Sequence, residues 1–145
     1  MNETILRFGY PDTLVAQYRH WLVLLRPQQP TLGSLVLAAA GDFTAFSELP
    51  PDAFAELHRV VSDIEAALRG AVGYGKINYL MLMMADPNVH WHVIPRYEGA
   101  REAQGVTIAD QGWPKLPQLG EAQALEPGEI EALREWLRLH WPAAG

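Results

Sequence analysis

Apolar residues fall into two rhythms along this chain. Trp21 to Leu25 is a short continuous apolar run, which reads as a buried strand. Arg26-Pro27-Gln28-Gln29-Pro30-Thr31 must break it, because two prolines remove two backbone donors and fix φ. Gly33 to Ala40 reads as the next strand, and the two runs are expected to pair as a hairpin across the Pro-rich loop. The rhythm then changes. Pro50 and Pro51 suit a first helical turn, Asp52 suits the positive end of the dipole, and Phe54, Leu57, Val61, Ile64 and Leu68 recur every three or four residues. Glu56, Arg59, Asp63 and Arg69 lie off that stripe, and Gly70, Gly73 and Gly75 close the element. Lys76 to Met84 and Val89 to Arg96 are extended runs joined by Ala-Asp-Pro-Asn, with Pro95 marking the end or the edge of the second.

The flanks are less regular. Asp12 to Gln17, entered through Pro11, reads as one or two helical turns. Tyr97 to Leu125 has four glycines, two prolines and little periodicity, so a long loop or arm is expected. Pro127 starts a last helix whose stripe is Ile130, Leu133, Leu137 and Trp141. Strand, strand, helix, strand, strand predicts an α+β fold, an antiparallel sheet with one long covering helix and a C-terminal helix. One domain over residues 1–145 is expected, its core at about 18–98 and an arm and helix at about 99–145.

Composition narrows the function classes. At 145 residues with 49% apolar side chains, the chain can bury a core without a disulfide or a structural metal. It has no cysteine, which excludes a thiol nucleophile, a zinc finger and an iron–sulfur centre. A net charge of −6 gives no basic footprint for nucleic acid. The longest mainly apolar stretch, Leu32 to Ala40, is too short to span a bilayer, and Met1 to Tyr10 does not read as a signal peptide. These features lead to the expectation of a soluble cytoplasmic protein with no nucleic-acid or membrane partner.

Two of the five histidines stand together in Asn88-Val89-His90-Trp91-His92-Val93-Ile94-Pro95-Arg96. On a strand Asn88, His90, His92 and Arg96 share one side, and Val89, Trp91 and Val93 the other. Any half-exposed strand alternates in this way, but the alternation alone does not explain why the polar positions are imidazoles and an amide. His90 and His92 would lie about 6.7 Å apart along the strand. Two imidazoles at that spacing can bracket one phosphate, a neutral ring attacking phosphorus and an imidazolium giving a proton to the leaving group. A metal pair is the rival, with Asp86 or Glu98 as third ligand. His20, His58 and His140 read as surface or packing residues.

Asp86-Pro87-Asn88-Val89-His90-Trp91-His92-Val93-Ile94-Pro95-Arg96-Tyr97 resembles the signature of the histidine triad superfamily. WLVLLRPQQPTLGSLVL at residues 21–37 is similar to the family's hairpin, and the helix followed by KINYLML at residues 76–82 matches its order of elements. Asp110-Gln111-Gly112-Trp113-Pro114 agrees more weakly. The resemblance implies a homodimer that binds a nucleotide-type small molecule. It cleaves a nucleoside phosphoanhydride or phosphoramidate, or transfers a nucleotidyl group, with no metal or other cofactor required. His90 takes the position of the nucleophile, His92 contacts the phosphate and leaving-group region, and Asn88 stands where the first histidine of the triad is expected. Arg96, Asn78 and Trp113 are the substrate-binding candidates. Two departures affect the pocket: Leu22 to Leu25 lacks the polar residue that contacts ribose, and Met81-Leu82-Met83-Met84 leaves Asn78 as the only amide of its strand. The Met run reads as core. A nucleotide-binding regulatory protein with weak turnover is the alternative. For the homodimer, Tyr74, Tyr79, Met81, Trp136 and Trp141 are expected to form one apolar patch.

Overall fold

The computed structural model describes residues 1–143. In chain order its elements are α1 (Glu3–Arg7), β1 (Leu14–Gln17), β2 (Trp21–Leu25), β3 (Gln28–Gln29), β4 (Leu35–Ala39), α2 (Pro51–Val72), β5 (Lys76–Leu80), β6 (His90–Arg96), β7 (Ala100–Ala103), β8 (Val106–Ala109), β9 (Gln123–Ala124) and α3 (Pro127–His140). Five strands form an antiparallel sheet in the order β1-β2-β4-β6-β5. The α+β reading holds.

The predicted hairpin is present, with Trp21 opposite Ala39 and Leu25 opposite Leu35. Every residue of β2 and β4 is buried, because both faces of the sheet are covered. One face packs Trp21, Val23, Leu25, Leu35, Leu37 and Val93 against Val60, Ile64 and Leu68 of α2 and Leu133 and Leu137 of α3. The other face packs Leu22, Leu24, Val36 and Ala38 against Ile5, with Phe8, Tyr10 and Leu14 at the margin. The connection between β2 and β4 is stapled by a buried glutamine. Gln29 donates from Nε2 to the carbonyls of Arg26 and Ser34, and its Oε1 accepts from the Gly33 amide. These bonds satisfy backbone groups in a loop where two prolines have no N–H to offer.

α2 starts at Pro51 and ends at Gly73, which adopts φ 63° and returns its N–H to the carbonyls of Leu68 and Arg69. Gly70 lies inside the helix and does not end it. The buried stripe is Ala53, Val60, Ile64, Ala67, Leu68 and Val72, rotated from the expected one. Phe54 is exposed and stacks on Phe46, which in turn stands edge-on to Trp91.

Four further expectations are corrected. Residues 14–17 form strand β1, because pairing with β2 overrides local helical preference. β6 does not end at Pro95 but runs on to Arg96, and the edge expected there is local. Pairing with β4 stops at Val93, so Pro95 faces β5 alone and no ladder bond on the β4 side is lost. The arm contains the hairpin β7–β8, turned by Gln104 (φ 53°) and Gly105 (φ 78°), the two positive-φ positions of a tight turn. The expected aromatic patch is split. Trp141 donates from Nε1 to the Tyr18 hydroxyl beyond β1, whereas Tyr79 lies on β5 at the opposite edge of the sheet. Among the described residues no helix is long and apolar enough to cross a membrane.

Candidate active site

Strand alternation places His90 and His92 on the sheet face opposite α2, opposite Ala38 and Val36 of β4. α1 covers that face. Asn2 caps it by accepting from the Ile5 amide and ties it to the sheet by donating to the carbonyls of Ala39 and Gly41. The Phe8 ring, just past its end, sits 5.7 Å from the centroids of both histidines, which are 5.0 Å apart and nearly perpendicular.

The hydrogen bonds assign a tautomer to each ring. His90 Nδ1 lies 2.6 Å from the Asn88 backbone carbonyl, which only accepts, so Nδ1 carries the proton. In the neutral ring Nε2 then holds the lone pair, and that atom is buried without a partner. His92 Nδ1 lies 3.3 Å from Arg26 Nε, which only donates, so the neutral ring is protonated at Nε2. Burial first, then the Arg26 charge and His90, lower the His92 pKa to about 4. His92 is therefore neutral at pH 7 and offers an N–H donor. The expectation of an imidazolium proton donor is corrected. So is that of a strand-face imidazole with little packing, since His90 is fully buried.

Asn88 supports the site through its main chain. Its side chain serves instead to bind α1. Oδ1 accepts from the Thr4 amide (3.2 Å) and hydroxyl (3.1 Å), and the Asn88 amide donates to Thr4 Oγ1 (3.0 Å). Nδ2 donates to the Phe43 carbonyl at 3.4 Å. An amide fits this reciprocal lock, and it fastens α1 over the histidines.

The other three candidates lie toward the far end of β6. Arg96 is buried, with Nε 2.7 Å and Nη2 3.0 Å from the Asp110 carboxylate and Nη1 2.8 Å from Asn78 Oδ1. Gly112 allows the chain to close on this pair, since a Cβ there would collide with the Leu116 carbonyl and crowd Arg96. Asn78, Arg96 and Trp113 line a cleft of about 540 Å³ with Lys76 and Lys115. His92 lines a different cleft of about 350 Å³, with Arg7, Phe8, Arg26, Gln28, Leu82 and Asp86. The six candidates thus fall into two sets. Met81 packs against the core but Leu82 and Met84 are exposed, so the Met run is core only at its start. Asp86 lies 3.5 Å from Arg7, Glu98 is exposed, and no three potential ligands among the described residues assemble for a metal.

Thr4, Phe8, Arg26 and Asp110 were missed as site residues. Arg26, a cation directly after a fully apolar strand, carried a signal. Thr4 and Phe8 carried none, for they meet residues more than 80 positions away.

No family profile and no curated protein matches the sequence. Solved structures do. A histidine triad protein from Sinorhizobium meliloti is 23% identical with a TM-score of 0.74, over 97% of this chain and 95% of that one. One from Bradyrhizobium japonicum is 19% identical with a TM-score of 0.73, over 97% and 96%. A hypothetical histidine triad nucleotide-binding protein from Sulfolobus tokodaii is 20% identical with a TM-score of 0.68, over 94% and 88%. The chain has the histidine triad fold.

Proposed function

We propose that this chain is a nucleotide hydrolase or nucleotidyl transferase that works through a covalent nucleotidyl-His90 intermediate. The observation that carries the reading is the tautomer of His90: the Asn88 carbonyl holds the proton on Nδ1 and leaves an unpartnered lone pair on Nε2. Because that acceptor belongs to the backbone, the loss of the first histidine leaves the nucleophile's orientation intact. The Nε2 lone pair attacks the α-phosphorus, the N–P bond forms, and the bond to the leaving group breaks with its electron pair. His92 donates its Nε2–H to a phosphoryl oxygen as charge develops there. Water or an acceptor hydroxyl then attacks phosphorus, releases His90 and gives its proton to solvent. Phe8 turns away for phosphorus to reach Nε2.

Intact-mass measurement after rapid quench, with a dinucleoside polyphosphate as substrate, tests this. The expected result is an adduct of one nucleoside monophosphate on His90 that is lost in His90→Ala, while that variant stays folded by circular dichroism. Turnover without an adduct, or retained in His90→Ala, overturns it. The burial of Nε2 also favours a second reading, a nucleotide-binding regulatory protein. Saturable nucleotide binding with neither adduct nor turnover identifies that case.

A homodimer belongs to the same proposal. β5 is a sheet edge, and beside it Leu37, Leu57, Val61, Tyr79 and Trp91 line an apolar recess of about 190 Å³. Light scattering at micromolar concentration is expected to give twice the 16.2 kDa chain mass.

A further inference from the structure

We propose that Arg26 forms a subsite for the phosphate next to the attacked one, so that the substrate is a phosphoanhydride whose leaving group is a polyphosphate, and not a phosphoramidate. This rests on the reading of His90 as nucleophile. Arg26 follows the last residue of β2, and two of its nitrogens are engaged: Nε donates to His92 Nδ1 and Nη1 to the Gln28 carbonyl at 2.8 Å. Neither acceptor is a carboxylate. Among the described residues Arg26 makes no ion pair, and Nη2 has no hydrogen-bond partner. A half-buried guanidinium with no counter-charge in contact is costly, and here it lines a cleft with His92. Arg7 stands in the same cleft, held by Glu3 and the Ala85 carbonyl, and 3.5 Å from Asp86. Arg7 is thus matched by carboxylates, which leaves Arg26 as the cation of this cleft with none in contact, and a guanidinium with open donors fits phosphate oxygens.

Proton balance selects the leaving group. When the P–O bond of a phosphoanhydride breaks, the polyphosphate departs with the electron pair as an anion and needs no proton. An amine leaving a phosphoramidate must gain one. His92, neutral with its single N–H proton, would have to become imidazolate to supply it. Arg26 instead meets the anionic leaving group with charge, beside the ring that contacts the reacting phosphate.

The test compares Arg26→Gln with the natural protein on a dinucleoside polyphosphate and on a nucleoside 5′-phosphoramidate. Expected is a loss of about 30-fold in kcat/KM on the polyphosphate, the scale of a charge-assisted hydrogen bond, and under about threefold on the phosphoramidate. Arg26→Lys should recover part of the loss. Equal losses on both substrates would assign Arg26 to holding the His92 tautomer alone and overturn the subsite. Calorimetry with inorganic tripolyphosphate separates this proposal from failure of the catalytic reading, because it needs no turnover. Binding by the natural protein that weakens at least about tenfold in Arg26→Gln supports the subsite. No binding, or equal binding by both, overturns it.

Discussion

Two arginines border the histidine-bearing face of the sheet, and their surroundings differ. Arg96, the last residue of β6, is buried with Asp110 on two of its nitrogens and Asn78 on the third. Arg26, after β2, touches a neutral imidazole and a carbonyl and has no carboxylate partner. The first has its charge neutralised and its donors occupied before any ligand arrives, which is the condition of a structural cation. The second keeps an open donor beside a candidate catalytic ring. The signature motif marked Arg96 as a substrate contact; hydrogen-bond accounting moves that emphasis to Arg26. A cation's place in a motif is a weaker guide to ligand binding than whether the protein has already paired it.

Stability measurements can break this comparison most directly. Arg96→Met should cost about 3–5 kcal/mol in urea denaturation, because it leaves Asp110 buried without its counter-charge. Arg26→Met should change stability by less than about 1 kcal/mol, since no buried carboxylate is left behind. Equal costs would remove the distinction, and a neutral Arg96→Met would return that residue to the ligand.

Much of this arrangement was legible in the sequence. The α+β order, the β2–β4 hairpin, α2 and the face shared by His90 and His92 follow from period and turn chemistry, which act over a few residues. The hairpin of the arm was hidden, since Ala100 to Ala109 alternates over only four residues a side and its turn lacks a strong Asn-Gly signal. The seal on the site was out of reach for a different reason. A five-residue helix has almost no periodicity, and α1 is held by Asn2 reaching Ala39 and Gly41 and by Thr4 reaching Asn88. Local pattern contains no term for such contacts. It did place His90, His92 and Arg96 on β6, Asn78 on β5 and Trp113 in the arm, but Asn88 falls in the bend before β6, and nothing local separates the cleft of His92 from that of Asn78, Arg96 and Trp113.

The next measurement sharpens the His92 end. Its pKa of about 4 in the folded state lies below the ordinary value of 6.5, so the unfolded chain binds more protons between those values. Stability from this group is therefore fully present above about pH 6.5 and is lost as pH falls toward 4. A loss of about 1–3 kcal/mol is expected across that window, largely absent in His92→Gln. Arg26→Gln removes one of the lowering causes, so the His92 pKa should move up in an NMR titration. An unchanged His92 pKa would mean that burial alone sets it.

The smallest effect tests the lock on α1. Asn88→His restores the three-histidine pattern but replaces the amide that Thr4 grips with both its N–H and its hydroxyl. A loss of about 1–2 kcal/mol is expected, from hydrogen bonds broken and backbone groups left unpaired. Thr4→Val removes the hydroxyl from the other side. The double variant should lose less than the two single changes added together, with a coupling of about 1 kcal/mol. The His90 tautomer should not change in any of them, because its partner is the carbonyl of residue 88 whatever the side chain. Nitrogen-15 shifts of the imidazoles read this directly: a protonated Nδ1 and a bare Nε2 in all four proteins. If Asn88→His moves the proton to Nε2, the side chain at this position governs the His90 tautomer after all. If Asn88→His raises turnover while the tautomer stays fixed, the gain comes from loosening α1 and Phe8 over the histidines, and the asparagine acts as a brake on access.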